Sequence, residues 1–282
     1  MSKGMLIDLT KCIGCRACQT ACKQWHDLPA EVTENSGSYE NPPRLSASTR
    51  TMVTFNEIED QGKFAWVFAK RQCMHCEHPA CASACTVGAL HKTAAGPVTY
   101  DADKCIGCRY CQYACPFQVP TFQWQSTFGL ISKCDMCADR QAEGMEPACA
   151  KTCPTGALAF GDRKELLQEA RARIAAHPEQ YIDHIYGEHE GGGTSMMYMS
   201  AVPFIQLGFP ELGDHPVAEA AERIMQQTPT IAIGVAAVAS GLYWIMRRRQ
   251  LLAHSTFEVG AGDEDAGEVL ADAERAQKGE ES

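Results

Sequence analysis

Residues 11–22 read KCIGCRACQTAC, and residues 104–115 repeat the pattern as KCIGCRYCQYAC. Each stretch spaces four cysteines as C-x2-C-x2-C-x3-C. Working outward from them, all sixteen cysteines of the 282-residue chain fall into four groups of four. The first is Cys12, Cys15, Cys18 and Cys22; the second is Cys73, Cys76, Cys81 and Cys85. The third is Cys105, Cys108, Cys111 and Cys115; the fourth is Cys134, Cys137, Cys149 and Cys153. The second group widens the middle gap to four residues and the fourth to eleven, but both keep the opening C-x2-C and the closing C-x3-C. A second echo joins Cys85-Thr-Val-Gly-Ala-Leu90 to Cys153-Pro-Thr-Gly-Ala-Leu158. Internal repetition of this kind points to duplication of one small unit, here a pair of cysteine motifs.

Disulfide scaffolds are usually short, exported chains. This chain is long, Met1 to Lys11 show no apolar leader segment, and its cysteines are bunched two or three residues apart. That bunching suits a shared metal centre. A [4Fe–4S] cube needs four converging thiolates; C-x2-C-x2-C wraps three corners, and in two-cluster ferredoxins the cysteine after x3 serves the other cube. Soft thiolates favour iron–sulfur or zinc over hard cations. Zinc sites typically pair two separated C-x2-C knuckles, which is not the pattern here; a zinc-dependent, membrane-anchored structural or assembly module is the alternative of another class. The expected cofactors are therefore four [4Fe–4S] clusters.

The net charge is −10, of which residues 258–282, with nine acids and two bases, carry −7. The body is close to neutral, which excludes a nucleic-acid-binding face. Residues 29–50 are polar and proline-bearing and read as loop. Val53 and Phe55, then Phe64, Trp66 and Phe68, alternate with other residues around a turn at Asp60-Gln61-Gly62-Lys63, a β-hairpin pattern. Asp162 with Glu165 opens a helix along Leu166, Leu167, Ala170 and Ile174, and Pro178 stops it. Gly191-Gly192-Gly193 reads as a flexible loop. His75 and His78 are expected to shape the second cysteine loop or face solvent, and Trp25, Trp66 and Trp124 to cover clusters against water. No catalytic triad, zinc-protease, Walker or dinucleotide motif is present in a convincing context, so the chain is expected to be non-catalytic.

From Ile231 to Met246 there is no charged residue. With Thr228-Pro229-Thr230 the stretch would span about 29 Å as a helix, close to the hydrocarbon thickness of a bilayer, and Arg247–Arg249 close it. Small residues at Ala232, Ala236 and Ser240, and at Ala237 and Gly241, offer a face for packing on another membrane helix. The span holds no histidine and so no haem ligand.

The segments CIGCRACQTACKQWHDL, YENPPRLSA, CMHCE and PACAKTCPTGALAFG resemble the iron–sulfur (β) subunits of formate dehydrogenase-N/O type molybdoenzymes, within the dimethyl-sulfoxide-reductase family. GCRYCQYACPFQVP, FGLISKC and IYGEHEGGGT resemble the iron–sulfur component of membrane-bound [NiFe] hydrogenases. Those components usually carry their own twin-arginine signal, which favours the formate-dehydrogenase arrangement here. The resemblance implies an α+β fold of two bacterial-ferredoxin-like dicluster modules with insertions, plus a single C-terminal transmembrane helix. Residues 1–28 and 119–165 would form one module and 51–118 the other. Residues 166–227 would be an extension, 228–249 the transmembrane helix and 250–282 a disordered acidic tail. Carried over by position, one cluster takes Cys12, Cys15, Cys18 and Cys153, and its neighbour Cys134, Cys137, Cys149 and Cys22. The other module gives Cys73, Cys76, Cys81 and Cys115, then Cys105, Cys108, Cys111 and Cys85. The implied role is electron relay between a large catalytic subunit, of molybdopterin type or alternatively of [NiFe] type, and an integral membrane quinone or cytochrome b subunit. Arg247–Arg249 put the C-terminus in the cytoplasm and the cluster-bearing part in the periplasm.

Overall fold

The computed structural model describes residues 2–258 apart from Ser36, Gln61 and Phe128. The acidic stretch beyond Glu258 lies outside the described residues, as does Gln61 of the expected turn. Two compact units are distinguished, one ending at Glu222 and one beginning at Arg223.

The first unit mixes short helices and strands, as the sequence led us to expect. Its elements are β1 (Lys3–Asp8), α1 (Ala17–Trp25), β2 (Met52–Asp60), β3 (Lys63–Arg71), α2 (Ala80–Ser83), β4 (Leu90–Lys92) and β5 (Val98–Tyr100). They continue as α3 (Tyr110–Ala114), β6 (Thr121–Phe122), β7 (Ile131–Ser132), α4 (Ala138–Ala142), α5 (Ala148–Lys151), β8 (Leu158–Asp162), α6 (Arg163–Ala176) and β9 (Met196–Met199). The largest sheet runs β8-β1-β9, with β1 antiparallel to β8 and parallel to β9. Side chains alternate across a strand, and β1 uses both faces. Met5 and Ile7 join Met196 and Tyr198 in the main core, while Leu6 joins Met197, Met199 and the α6 residues Leu166, Leu167, Ala170 and Ile174.

The hairpin β2–β3 pairs in continuous register from Met52↔Arg71 to Asp60↔Lys63, with Gly62 supplying the positive φ of the turn. Helix α6 begins as expected: Asp162 Oδ1 accepts from the Lys164 N–H at 3.0 Å. The described residues among 29–50 carry no regular element. The glycine run is a correction. Gly191 to Gly193 form a packed turn rather than an open loop: all three have positive φ, and a Cβ at Gly192 would lie 2.8 Å from Pro216 Cγ. At Gly192 and Gly193 the neighbouring chain leaves no room for a side chain, whereas at Gly191 the positive φ is what favours glycine.

The second unit begins within the helix α7 (Glu219–Glu258), which has Pro229 inside it. The helix is longer than the expected 228–249. Apolarity sets which residues suit a bilayer, whereas the flanking Glu, Ala, Arg and Leu are good helix formers in their own right and carry the helix on at both ends. Residues 220–252 are all exposed, including Ile231, Ile233, Val238, Leu242 and Trp244. The helix is long and apolar enough to cross a membrane.

Candidate metal centres

The four C-x2-C turns are built alike. In each, the residue before the second cysteine takes a positive φ: Gly14 at 67°, His75 at 49°, Gly107 at 70° and Met136 at 59°. A left-handed residue there curls the backbone so that successive N–H groups face one concave point, suited to negative charge. Glycine adopts this freely; histidine and methionine accept about 1–2 kcal/mol of strain. At His75 the surroundings hold the strain. Its Nδ1 accepts from the Val98 N–H at 2.9 Å, and its carbonyl accepts from the Ser195 N–H at 3.1 Å. Residues leading into β9 thereby clamp the second cysteine loop.

Two strand registers decide which cysteines meet. Ile7 pairs with Leu158 and Leu90 with Tyr100. Cys12 lies five residues after Ile7, and Cys153 five before Leu158. Likewise Cys105 lies five after Tyr100, and Cys85 five before Leu90. Each antiparallel pair thus sets the last cysteine of one group beside the first of another. Cys12, Cys15, Cys18 and Cys153 line one cavity, walled by Ile7, Val53 and Leu158. Cys22, Cys134, Cys137 and Cys149 line a second with Met5 and Met136. Cys18 and Cys22 stand four residues apart on α1, and so on one helix face, one directed to each cavity. Elsewhere, Cys76 lies within the electrostatic reach of Cys73, Cys115 and Cys81, and Cys111 within that of Cys105, Cys108 and Cys85. All sixteen cysteines are free thiols, and only Cys15 and Cys108 are exposed.

Burial is the largest cause of the upward shift of most of these thiols, reinforced by neighbouring cysteine charges. It pushes Cys18, Cys22 and Cys111 up to about 11 and Cys81 and Cys137 up to about 12. Cys153 moves the other way. Burial would raise it, but hydrogen bonds from the Thr155 hydroxyl and from backbone N–H groups of Leu158, Ala157 and Thr155 outweigh burial. Further N–H groups donate to sulfur: Ala89 to Cys85 at 3.2 Å, Met136 to Cys134 at 3.3 Å and Gly107 to Cys105 at 3.4 Å.

These residues fit an anionic, thiolate-held metal centre. The donors are soft, the cavity walls are largely apolar, and N–H groups already point at the sulfurs. His75 adds a further sign. With Nδ1 accepting, its proton sits on Nε2, which is buried and has no partner among the described residues. His78, by contrast, is exposed. The expected tryptophan covers are only partial: Trp25, Trp66 and Trp124 are 40%, 45% and 66% exposed. Trp25 lies under the Arg140 guanidinium and Trp124 under that of Arg109, so each ring presents a stacked cation rather than a dry lid. Sequence reasoning missed His26 and Asp135, which stand beside Cys137. His26 Nε2 lies 3.4 Å from the Asp135 carboxylate and 3.7 Å from Cys137 Sγ. Only the adjacency of His26 to the first group and of Asp135 to Cys134 could have flagged them.

Two family profiles, each described as a 4Fe-4S dicluster domain, match residues 11–89 and 64–163. The chain is 44% identical over 197 residues to the nitrate-inducible formate dehydrogenase iron-sulfur subunit of Escherichia coli K12, covering 69% of this chain and 66% of that one. It is 41% identical over 212 residues to the formate dehydrogenase-O iron-sulfur subunit of the same organism, covering 73% and 70%. To the hydrogenase-2 operon protein HybA of Escherichia coli O157:H7 it is 34% identical over 278 residues, covering 88% and 84%. The duplicated cysteine turns, the dicluster profiles and these relatives agree: the chain belongs to the 4Fe–4S dicluster iron–sulfur subunits of formate dehydrogenase and hydrogenase type, electron-transfer proteins with two ferredoxin-like domains.

Proposed function

We propose that this chain holds four [4Fe–4S] clusters and relays electrons between a molybdopterin-type catalytic subunit and an integral membrane quinone or cytochrome b subunit. The observation that carries the proposal is the meeting of four thiol quartets, each completed by a cysteine from another group. Cys12, Cys15, Cys18 and Cys153 hold one cluster, and Cys22, Cys134, Cys137 and Cys149 its neighbour. Cys73, Cys76, Cys81 and Cys115 hold a third, and Cys85, Cys105, Cys108 and Cys111 a fourth. Two ferredoxin-like modules follow, one built on the first and fourth cysteine groups, the other on the second and third. When bound, each cluster supplies a one-electron carrier. The apolar walls around Ile7, Val53 and Leu158 keep water from the buried Cys18 side of the first cavity. The N–H groups of Ala89, Gly107 and Met136 favour their negative charge. Exposure of Cys15 and Cys108 alone supports electron entry and exit at the two quartets that contain them.

The α7 helix anchors the chain by a single membrane pass, with small residues of the Ala232–Gly241 face against the membrane subunit. Arg247–Arg249 assign its C-terminal end to the cytoplasm and the cluster-bearing part to the periplasm. A [NiFe]-hydrogenase-type partner is the second reading, favoured because the HybA match extends over more of both chains. Elemental analysis of the complex, purified anaerobically through this chain in mild detergent, separates the readings. Iron with molybdenum or tungsten supports the first and iron with nickel the second. Zinc without iron refutes both.

A further inference from the structure

Lys70, on β3, is only 3% exposed. Its side chain lines both the cavity of Cys12, Cys15, Cys18 and Cys153 and the cavity of Cys22, Cys134, Cys137 and Cys149. The ammonium has three protons to donate and one described protein acceptor, Gln72 Oε1 at 2.9 Å. Among the described residues no carboxylate forms an ion pair with it, whereas Lys92 pairs with Glu77 and Lys23 with Glu31. A brace fixes the position: Gln72 Nε2 donates to Tyr198 Oη at 2.7 Å, and Tyr198 Oη donates to the Lys70 carbonyl at 2.9 Å. A buried cation without a counter-charge is strongly disfavoured, so the anion it faces must be the metal–thiolate centres themselves.

We propose that Lys70 is the shared counter-cation of these two adjacent quartets, raising the reduction potentials of the two clusters they hold. The proposal rests on the cluster-bearing reading above. Each thiolate-held centre is anionic, and reduction adds one more negative charge, so a fixed cation between two centres favours the reduced form of both. At an effective dielectric of about 20, a unit charge within about 12 Å of a centre changes a one-electron equilibrium by roughly tenfold or more, that is, by about 59 mV or more. Of the other two quartets, the one containing Cys81 has a buried cation of its own, Lys133. Lys70 is a positioning residue for the pair of centres whose cavities it lines.

The test is a redox titration followed by electron paramagnetic resonance on the intact complex carrying Lys70→Met, Lys70→Gln or Lys70→Arg, with iron counted in each. The wild type, counted first, tests the underlying reading separately: a wild type without iron ends that reading and this proposal together. With iron intact, Lys70→Met should lower two of the four midpoint potentials, each by a factor of about ten or more in the reduction equilibrium. Lys70→Arg should restore them. Unchanged potentials in an iron-replete Lys70→Met variant would overturn the proposal while leaving the cluster reading standing. If both neutral variants lose the two clusters but the arginine variant keeps them, the counter-charge is supported. Should arginine lose them as well, the residue serves packing and the proposal is wrong.

Discussion

Replacing Cys153 by alanine removes the one ligand that the fourth group lends to the cavity of Cys12, Cys15 and Cys18. If the crossed pairing is correct, this variant loses one cluster of the four, and the thiols that become free are Cys12, Cys15 and Cys18, while Cys22 stays bound to the neighbouring cluster. Alkylation of the native protein followed by peptide mass spectrometry reads this directly. Exposed Cys15 should label first. Cys18 is pushed up to about 11, chiefly by burial. At pH 8 an ordinary thiol of pKa about 8.5 is about one quarter thiolate, and one of pKa about 11 about one thousandth, a deficit of roughly 200-fold. The more basic thiolate is intrinsically the better nucleophile, which recovers roughly tenfold. Cys18 should therefore react roughly twentyfold more slowly than an ordinary thiol, yet still faster than any cysteine bound to iron. Labelling of Cys134, Cys137 and Cys149 in the Cys153→Ala variant, with Cys12, Cys15 and Cys18 protected, would refute the crossing and the register argument behind it.

Gly14→Ala puts a Cβ at positive φ and 2.9 Å from Phe68 Cδ1. It should cost about 1–2 kcal/mol from the left-handed backbone alone and speed thermal loss of one cluster, with Phe68→Leu partly relieving it; an unchanged iron-release temperature would count against the turn geometry. Tyr198→Phe leaves Gln72 Nε2 and the Lys70 carbonyl without their partner, at about 1–3 kcal/mol for each unsatisfied buried group, and a thermal-melt shift under anaerobic conditions measures it. Raised thiol pKa values favour the protonated form up to about pH 11 at Cys18 and Cys22. Iron binding must displace those protons, so chelator stripping should accelerate as pH falls from 8 to 6; a flat rate would contradict the sign. A chain ending at Glu222 should leave the membrane fraction on carbonate extraction yet retain its iron, and persistence in the membrane would remove α7 as the anchor.

The sequence alone determined the ligand chemistry, because cysteine spacing is a local property: C-x2-C-x2-C must wrap one centre whatever surrounds it. Local patterns also identified the β2–β3 hairpin, the α6 helix with its buried Leu166, Leu167, Ala170 and Ile174, and the apolar stretch of α7. The strands β1 and β9 were not legible. Met196–Met199 is buried on both faces, so no alternation marks it as a strand, and its role in clamping the second cysteine loop depends on contacts across more than a hundred residues. Lys70 was equally hidden. In sequence it is one more charged residue at the end of an alternating strand, and nothing nearby in the chain shows that both of its flanks will be walled by cysteines. Which thiols meet, which two stay exposed and where the Lys70 charge is buried were decided by tertiary structure, because strand register and burial are properties of pairs of distant segments and not of any one of them.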